Sequence, residues 1–198
     1  MTDPIREQLA GRSEPTSPDD LLAIFDQLDI DHTTVKHPPM FTVTQSKKLR
    51  ITSNHGSYTK NLFLRNKKGL MWLITCSEDR RLDLPSLAAQ LQAGRLSFGS
   101  AERLMKYLGV TPGAVSPLAL INDSMGSVSF VIEEELLRQP MIHLHPLINT
   151  QTTRIAIQDL LRFVRHTGHP PLCLRLNAPE ATAATEGWAT RSLDGAST

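Results

Sequence analysis

Lysine and asparagine stand side by side at the start of an apolar stretch, where a buried strand needs neither of them. The segment reads SYTKNLFLRNKKG over residues 57–69, and Lys60 and Asn61 directly precede its apolar run. An ammonium group can hold a phosphate or a developing negative charge, and an amide can orient a bound group through hydrogen bonds. Since lysines are mostly exposed in proteins, a solvated side chain is the simpler interpretation of Lys60 taken alone.

A glycine-to-proline loop is a second place where chemistry is possible. It consists of Gly113, Ala114, Val115, Ser116 and Pro117. Glycine tolerates a positive φ angle, and such a turn can bring backbone N–H groups close to the carbonyl or oxyanion of a ligand. The same residues also suit an ordinary connecting loop stiffened by proline, so this signal is weak on its own.

Two histidines separated by one residue form the most unusual polar group in the chain. On a strand, His143 and His145 share a face and could bind a metal ion together. No HExxH motif or neighbouring cysteine supplies a third ligand, which makes a metal site the less favoured interpretation. The alternatives are one core and one surface histidine, or His145 as the polar wall of a pocket, fixed by Pro146 and helped by Asn149.

Basic residues occur in small groups on a chain that is otherwise close to neutral. With 21 basic and 20 acidic residues the net charge is +1, so no overall field attracts the chain to nucleic acid. Most charge runs are solvated surface, but groups that share one face can bind the phosphates of one nucleic-acid end. The groups are Lys47, Lys48 and Arg50; Arg65, Lys67 and Lys68; and Arg80 and Arg81.

Composition and motifs argue against several classes of protein. Cys76 and Cys173 are isolated, so neither a disulfide framework nor a zinc knuckle is indicated. The sequence has no P-loop, no GxGxxG and no readable order of a catalytic triad. It also lacks an apolar stretch of membrane-spanning length and the apolar core of a signal peptide, so we expect a cytoplasmic protein.

Periodicity and capping residues predict the elements that position these groups. Ser17 before Pro18 is a typical helix start, and Gly109 is a typical stop. A turn at 66–69 between two apolar runs predicts a β-hairpin. The predicted helices cover 17–30, 42–50, 83–93, 100–109, 133–139 and 158–168, and the predicted strands cover 32–37, 61–65, 70–76, 118–123, 127–132, 141–147 and 171–176.

The order of these elements predicts one domain with a mixed sheet. At 198 residues and 40% hydrophobic content the chain can bury a sizeable core. We expect a flexible N-terminus over 1–16, the domain over 17–176 and a disordered tail over 177–198, where the residues are small and polar. Strands and helices interleave irregularly, with hairpins among them, which indicates an α/β or α+β domain.

Four segments occur in order along the chain: HPPMFTV, TKNLFLRNKKG, RLSFGSAERLMKYLGVTPGAVSPLALIND and HPLINTQTT. Together they resemble the freestanding prolyl-tRNA editing proteins, the ProX (PrdX, ProXp-ala) branch of the YbaK/prolyl-tRNA-synthetase-associated superfamily. The resemblance spans residues 17–176 and implies a mixed α/β fold with a partly barrel-like sheet surrounded by helices. It also implies a cofactor-free hydrolase that removes alanine from mischarged proline tRNA.

The same resemblance implies roles for particular residues. The family's functional lysine and asparagine fall on Lys60 and Asn61, its arginine on Arg95, and its histidine on His145. With Gly113 of the glycine-to-proline loop, Lys60, Asn61 and His145 become the catalytic candidates. The substrate-binding candidates are Arg95, Ala114, Val115, Ser116, Pro117, Pro146, Leu147 and Asn149, and the tRNA-binding candidates are Lys47, Lys48, Arg50, Lys67 and Lys68.

Two departures from the family pattern keep other functions open. Tyr58 stands where many members have histidine, and TQSKK follows FTV where many have acidic residues. One rival is a deacylase for Cys-tRNA(Pro) or for other small amino acids, and a second is a tRNA-binding or regulatory protein without catalysis. The expected partner is the acceptor end of proline tRNA, and docking on prolyl-tRNA synthetase is left open.

Overall fold

The helices and strands are those of a computed structural model, which describes residues 14–39 and 56–176. Within these ranges the helices are α1 (Pro18–Gln27), α2 (Leu84–Gln90), α3 (Ala101–Leu108) and α4 (Ile157–His166). The strands are β1 (His32–Lys36), β2 (Ser57–Arg65), β3 (Met71–Ser77), β4 (Ser97–Phe98), β5 (Val128–Glu133), β6 (Met141–Leu144), β7 (Gln151–Ala156) and β8 (Leu172–Leu174). Short 3-10 helices cover Pro117–Asn122 and Glu134–Arg138.

The strands of the described ranges form one mixed sheet in the order β1-β7-β6-β2-β3-β5-β8, and β4 pairs with β2 beside that path. The β1–β7, β6–β7, β2–β3 and β2–β4 pairs are antiparallel, and the β2–β6, β3–β5 and β5–β8 pairs are parallel. The path begins at β1 and ends at β8, so the sheet is not closed. The predicted mixed α/β fold is confirmed.

Capping residues start and stop the helices as the sequence predicts. Ser17 and Asp20 form a capping box at the start of α1. Ser100 caps α3, and Gly109 ends it with a φ angle of 63° in the left-handed region, where an added Cβ would strain the backbone. In the described part of the chain, no helix has the length and apolar character needed to cross a membrane.

Both faces of the central strands are buried, which explains why their sequences are apolar at nearly every position. Phe63 of β2 and Leu73 of β3 belong to the main core cluster, together with residues of α1, α3 and α4. Leu64 and Ile74 point to the opposite face and belong to a smaller cluster, which α2 covers with Leu87. Consecutive residues of β2 therefore reach two different environments.

Two predictions about individual elements are wrong. The strand predicted over 118–123 is the 3-10 helix Pro117–Asn122, because a short buried apolar run has no period that separates a strand from a helical segment. Lys60 does not precede the strand but lies with Asn61 inside the nine-residue β2, which starts at Ser57 and not at Asn61. The helix predicted over 42–50 and most of the predicted terminal segments lie outside the described residues.

Candidate active site

The candidate site lies where β2 and β6 separate. These parallel strands pair at two positions, the second of which joins Tyr58 to His143. Near its other end the same edge of β2 pairs with β4, where Leu64 faces Phe98. Since β3 covers the opposite edge, residues 59–62 have one edge that no described strand covers. A ligand can reach the backbone and side chains of β2 through this opening.

Lys60 points to the face of the smaller core cluster, where a backbone group holds its amine. Its Nζ donates a hydrogen bond to the carbonyl oxygen of Arg80, in the loop after β3. The Arg80 guanidinium pairs with the carboxylates of Glu133 and Glu135. Glu133 is 1% exposed and accepts a second hydrogen bond from the Ser77 N–H at 2.8 Å. The network fixes the lysine, and an ammonium with three donors keeps two for a ligand.

Cys76 faces Lys60 across the β2–β3 pair but is not a candidate nucleophile. Burial raises the pKa of the Cys76 thiol to about 12; Glu133 adds to this shift, and Lys60 and Arg80 oppose it. The reactive form of cysteine is the thiolate, which is negligible at neutral pH for such a group. Cys76 is therefore a residue of the smaller core.

Asn61 points to the opposite face from Lys60, and a buried hydroxyl orients its amide. Thr75, opposite it on β3, donates from Oγ1 to Asn61 Oδ1 over 2.7 Å. Thr75 has no exposed surface, so this hydrogen bond is shielded from water. The two N–H donors of Nδ2 bond to no residue in the described ranges. Asn61 therefore offers fixed donors, which suit an oxygen of a ligand.

His145 follows directly after β6, and two hydrogen bonds fix it. Its ring Nδ1 lies 2.7 Å from the carbonyl oxygen of Gln151. A carbonyl only accepts, so Nδ1 carries the proton and Nε2 of the neutral ring is an acceptor. The backbone carbonyl of His145 accepts from the Leu147 N–H at 3.0 Å. Among the described residues, Nε2 has no hydrogen-bond partner.

The surroundings of His145 keep its ring neutral. Burial lowers the pKa of His145, the hydrogen bond to Gln151 opposes that shift, and the nearby His37 lowers the pKa further. The His37 and His145 ring centroids are 5.9 Å apart. His37 is itself held by the Thr152 hydroxyl, 2.9 Å from its Nε2. The prediction that His145 forms a polar wall is compatible with these contacts.

The glycine-to-proline loop supplies backbone donors. Gly113 has a φ angle of 94°, which explains a glycine at this position. Ala114 and Ser116 are 1% and 0% exposed, and Ser116 Oγ caps the following 3-10 helix by accepting from the Leu118 N–H. The N–H groups of Val115 and Ser116 donate to no residue of the described ranges. Ser116 has no exposed surface, so of these two N–H groups only that of the half-buried Val115 belongs to a residue that a ligand can reach, and such a donor suits an oxyanion.

The turn after His145 and the glycine-to-proline loop both contribute to the main core. Leu147 is 6% exposed and belongs to the same core cluster as Ala114, and Val115 packs against that cluster. The φ angle of Leu147 is 67°, which is unusual for leucine and costs about 1–2 kcal/mol. Pro146 is buried and Asn149 is half-buried. Two candidate segments that are far apart in sequence thus share one core.

Other predicted site residues lie away from this opening. Arg95, Lys67 and Lys68 are exposed near the β2–β3 turn, at the opposite end of β2 from its opening. Lys67 is seven residues from Lys60, or roughly 23 Å along an extended strand. Three further predicted tRNA contacts, Lys47, Lys48 and Arg50, lie outside the described residues.

The two unusual histidines occupy different settings. His143 lies on β6 and stacks on Tyr58 at a centroid distance of 4.2 Å and an interplanar angle of 6°. His145 lies beyond the end of β6, so the two rings do not share a strand face. Within the described ranges, no group of three His, Cys, Asp or Glu side chains could hold a metal ion.

Sequence reasoning missed several residues that support the site. Asn61 is held by Thr75, and Lys60 is held by Arg80, which pairs with Glu133. His37 lies beside His145. Thr75 gave one usable signal, because a hydroxyl inside an otherwise apolar strand needs a hydrogen-bond partner. Glu133 gave none, since it opens a run of three glutamates that looks like solvated surface.

Comparison with known proteins agrees with this fold. The chain is 35% identical over 150 residues to the "Prolyl-tRNA editing protein ProX" of Acetoanaerobium sticklandii, covering 75% of this chain and 91% of that protein. It is 38% identical over 150 residues to "Prolyl-tRNA synthetase associated domain-containing protein 1" of Danio rerio, covering 75% and 81%. A solved candidate trans-editing enzyme for prolyl tRNA synthetase shares the fold, with a TM-score of 0.59, 18% identity, and coverage of 89% and 100%.

A sheet edge that no described strand covers, with hydrogen-bonding groups held in place beside it and the Lys60 ammonium among them, suits a hydrolase that acts on an activated ester. Residues 37–163 match the model of the aminoacyl-tRNA editing domain. The chain therefore belongs to the aminoacyl-tRNA editing family, which makes it an aminoacyl-tRNA hydrolase with charged tRNA as its substrate class. This agrees with what the resemblance of the motifs implied.

Proposed function

We propose that this protein removes alanine from mischarged proline tRNA, acting in trans on the released aminoacyl-tRNA. The names of its relatives tie them to prolyl-tRNA editing and to a domain associated with prolyl-tRNA synthetase. The observation that carries the proposal is the opening beside residues 59–62 of β2, with Lys60, Asn61 and His145 around it. These groups are held in place and suit a small ester.

The bond to be broken needs little activation. An ester between an amino acid and a ribose hydroxyl reacts readily with water once the water is oriented and the oxyanion is stabilised. We assign the oxyanion to the N–H group of the half-buried Val115, in the loop that Gly113 turns. The water attacks the carbonyl carbon, the ribose oxygen leaves with a proton, and the products are alanine and free tRNA. The substrate's own neighbouring ribose hydroxyl can assist the proton transfer.

The side chains divide the recognition of the terminal adenosine and its amino acid. Asn61 presents N–H donors, so its partner is a ribose or carbonyl oxygen and not the α-ammonium group. His145 presents an acceptor at Nε2, which suits the α-ammonium group or the attacking water. The remaining donors of Lys60 suit the terminal phosphate or the developing negative charge.

Selectivity for alanine follows from size. A pocket built for proline cannot exclude a smaller side chain, because each missing methylene changes binding by only about 1–3 kcal/mol. A second, smaller pocket can reject proline on steric grounds. We assign this limit to His145, Leu147 and the 113–117 loop, and the contribution of both Leu147 and Ala114 to the main core supports the assignment.

Single-turnover deacylation of Ala-tRNA(Pro) tests the proposal. We expect Lys60→Ala, Asn61→Ala and His145→Ala each to lower the rate constant, by about 100-fold where a stabilising donor is lost. Lys106→Ala, on the exposed side of α3, is the matched control and should retain the wild-type rate. Near-wild-type rates in all three site variants would show that the chemistry occurs elsewhere.

A further inference from the structure

An exposed aromatic side chain stands at the hairpin end of the sheet on a rigid backbone. Phe98 of β4 is 62% exposed, and the nearby Leu70 is 55% exposed. Gly99 holds β4 against β2, since its N–H donates to the Phe63 carbonyl at 2.9 Å. A Cβ on Gly99 would lie 2.4 Å from the Phe63 ring, so only glycine allows this approach. The Phe98 ring is therefore presented to solvent from a fixed position.

Exposed basic side chains lie in the segments that form the same end of the sheet. Lys67, Lys68 and Arg95 are exposed and make no ion pair or hydrogen bond with any described residue. The segments 62–77 and 84–101, which form this end of the sheet, contain no aspartate or glutamate. Their basic residues are the three named and Arg65, on a protein with a net charge of only +1. The hairpin end is thus a local positive surface beside an exposed aromatic ring.

We propose that this surface, Lys67, Lys68, Leu70, Arg95 and Phe98, binds the RNA strand that leads into the active site. We call it the hairpin patch. Phe98 stacks on an unpaired base, and the three cations bind phosphates, which is the combination that single-stranded nucleic acids require. The inference deepens the proposed function and rests on it, since the bound strand is the acceptor end of the substrate tRNA.

The length of β2 sets the spacing between the two sites. Phe98 pairs with Leu64, four residues from Lys60, which is roughly 13 Å along the strand. A stacked strand advances about 3.4 Å per nucleotide, so this distance corresponds to about three to four nucleotide steps. With the terminal adenosine at Lys60, three steps reach the unpaired base next to the first pair of the acceptor stem, which we assign to Phe98. Lys67 and Lys68 then face phosphates of the stem itself.

Equilibrium binding of an uncharged acceptor-stem RNA hairpin that ends in CCA tests the hairpin patch without any chemistry. Phe98→Ala should weaken binding by roughly 5- to 140-fold, the range for loss of one stacked base, and Phe98→Trp should restore it. The double variant Lys67→Ala/Lys68→Ala should reduce the slope of log K against log salt by about 1.5, for two lost phosphate contacts. Met125→Ala, at an exposed apolar residue on another loop, and Lys106→Ala are the controls and should bind as wild type.

The outcomes separate the hairpin patch from the proposed function. Patch variants that bind the RNA as tightly as wild type, with the same salt dependence, overturn the patch even if the wild type hydrolyses Ala-tRNA(Pro). Weakened RNA binding in these variants supports the patch even if the wild type does not release alanine. Loss of binding to prolyl-tRNA synthetase with RNA binding intact would reassign the surface to a protein partner and overturn the inference.

Discussion

Neighbouring side chains of one strand reach opposite faces of the sheet, and this decides what each can do. Lys60 joins the network of Arg80 and Glu133, while Asn61 is oriented by the buried Thr75 hydroxyl. Both become accessible from one direction because the edge of β2 is open between β6 and β4. Chemistry by a pair of adjacent strand residues therefore depends on that opening, not on a shared face.

The state of the His145 ring predicts a pH dependence. Burial lowers the pKa of His145 below the ordinary value of about 6.5. At pH 6.5 the ring is therefore still neutral, and its Nε2 still accepts hydrogen bonds. We expect protonation of His145 to lower the single-turnover rate constant at acid pH, with the decrease lying below pH 6.5. This decrease should disappear in His145→Gln. His145 binds a proton more tightly in the unfolded chain than in the folded protein. Its contribution to the free energy of unfolding is therefore present above about pH 6.5 and is lost as the pH falls.

Single-turnover rates of both proteins across the acid range give the measurement, with unfolding followed in parallel. An acid limb that is identical in wild type and His145→Gln would show that the rate does not depend on the protonation of this ring.

The sequence singled out individual site residues only where the residue type is unusual for the surrounding segment. Lys60 and Asn61 stand out against an apolar run, and the resemblance gave them roles. Their partners did not stand out, because a hydrogen bond between Thr75 and Asn61 depends on the β2–β3 register, which the sequence alone does not specify. For the same reason, the donor-only character of Asn61 could not be predicted.

At the scale of elements, local signals were sufficient where a cap or a turn marks a boundary. The β2–β3 hairpin, the capped helices and the two-sided burial of the central strands are confirmed. The signal failed at Pro117–Asn122, where burial on all sides removes the period. It also failed at the start of β2, since the polar residues before Leu62 conceal the first half of the strand.

Arg80, in the loop after β3, and Glu133, at the end of β5, together hold the Lys60 amine in place. Substitution of Glu133 should therefore affect catalysis through Lys60. Glu133→Gln removes the charge that holds Arg80, whose carbonyl binds the lysine amine. We expect the rate constant for deacylation to fall by about 10-fold, and stability to fall by about 3 kcal/mol because one partner of a buried pair is lost. Glu135→Gln is the matched control, since Glu135 also pairs with Arg80 but is 63% exposed and should contribute under 1 kcal/mol.

A double-mutant comparison distinguishes positioning from simple destabilisation. If Glu133 acts through Lys60, then Glu133→Gln should lower the rate much less in a Lys60→Ala background than in the wild type. Equal reductions in both backgrounds, measured where all variants are folded, would show that Glu133 does not position the lysine.

At the scale of the whole molecule, a buried hydrogen bond between Asp123 and His169 joins segments that are far apart in sequence. Asp123 lies at the end of the 3-10 helix that follows the glycine-to-proline loop, and its Oδ2 is 3.1 Å from His169 Nε2, beyond α4. Its carboxylate also accepts from the N–H groups of Ser127 and Val128. Burial alone would raise the pKa of Asp123, but the hydrogen bonds from His169 and these N–H groups lower it.

This arrangement predicts the stability of the fold toward acid. Since the folded pKa of Asp123 lies below the unfolded value of about 3.9, the carboxylate stabilises the protein above that value and loses the effect as pH falls through the folded pKa. We expect Asp123→Asn to reduce the free energy of unfolding at pH 7 by about 3 kcal/mol. Asp31→Asn, at an exposed position, is the control in urea unfolding. Equal stabilities of the two variants would contradict this role.

The meeting of distant segments was predictable only from the family resemblance. Nothing in the composition or periodicity relates the neighbourhoods of Lys60, Val115 and His145. In the structure β2 pairs with β6, which His145 follows, and Ala114 and Leu147 belong to the same core cluster; that these segments form one site is our proposal. Such long-range contacts depend on sheet order, for which short sequence windows carry no signal.

The central claim is that the candidate site beside β2 accepts an alanyl ester and excludes a prolyl ester. The most direct measurement is the single-turnover deacylation rate of Ala-tRNA(Pro) and of Pro-tRNA(Pro), with Cys-tRNA(Pro) alongside, for the wild type and for His145→Gly. The account predicts that the wild type hydrolyses the alanyl ester at least 100-fold faster than the prolyl ester, and that His145→Gly narrows this ratio by admitting proline. Equal wild-type rates on alanyl and prolyl esters, or a faster rate on the cysteinyl ester, would contradict it.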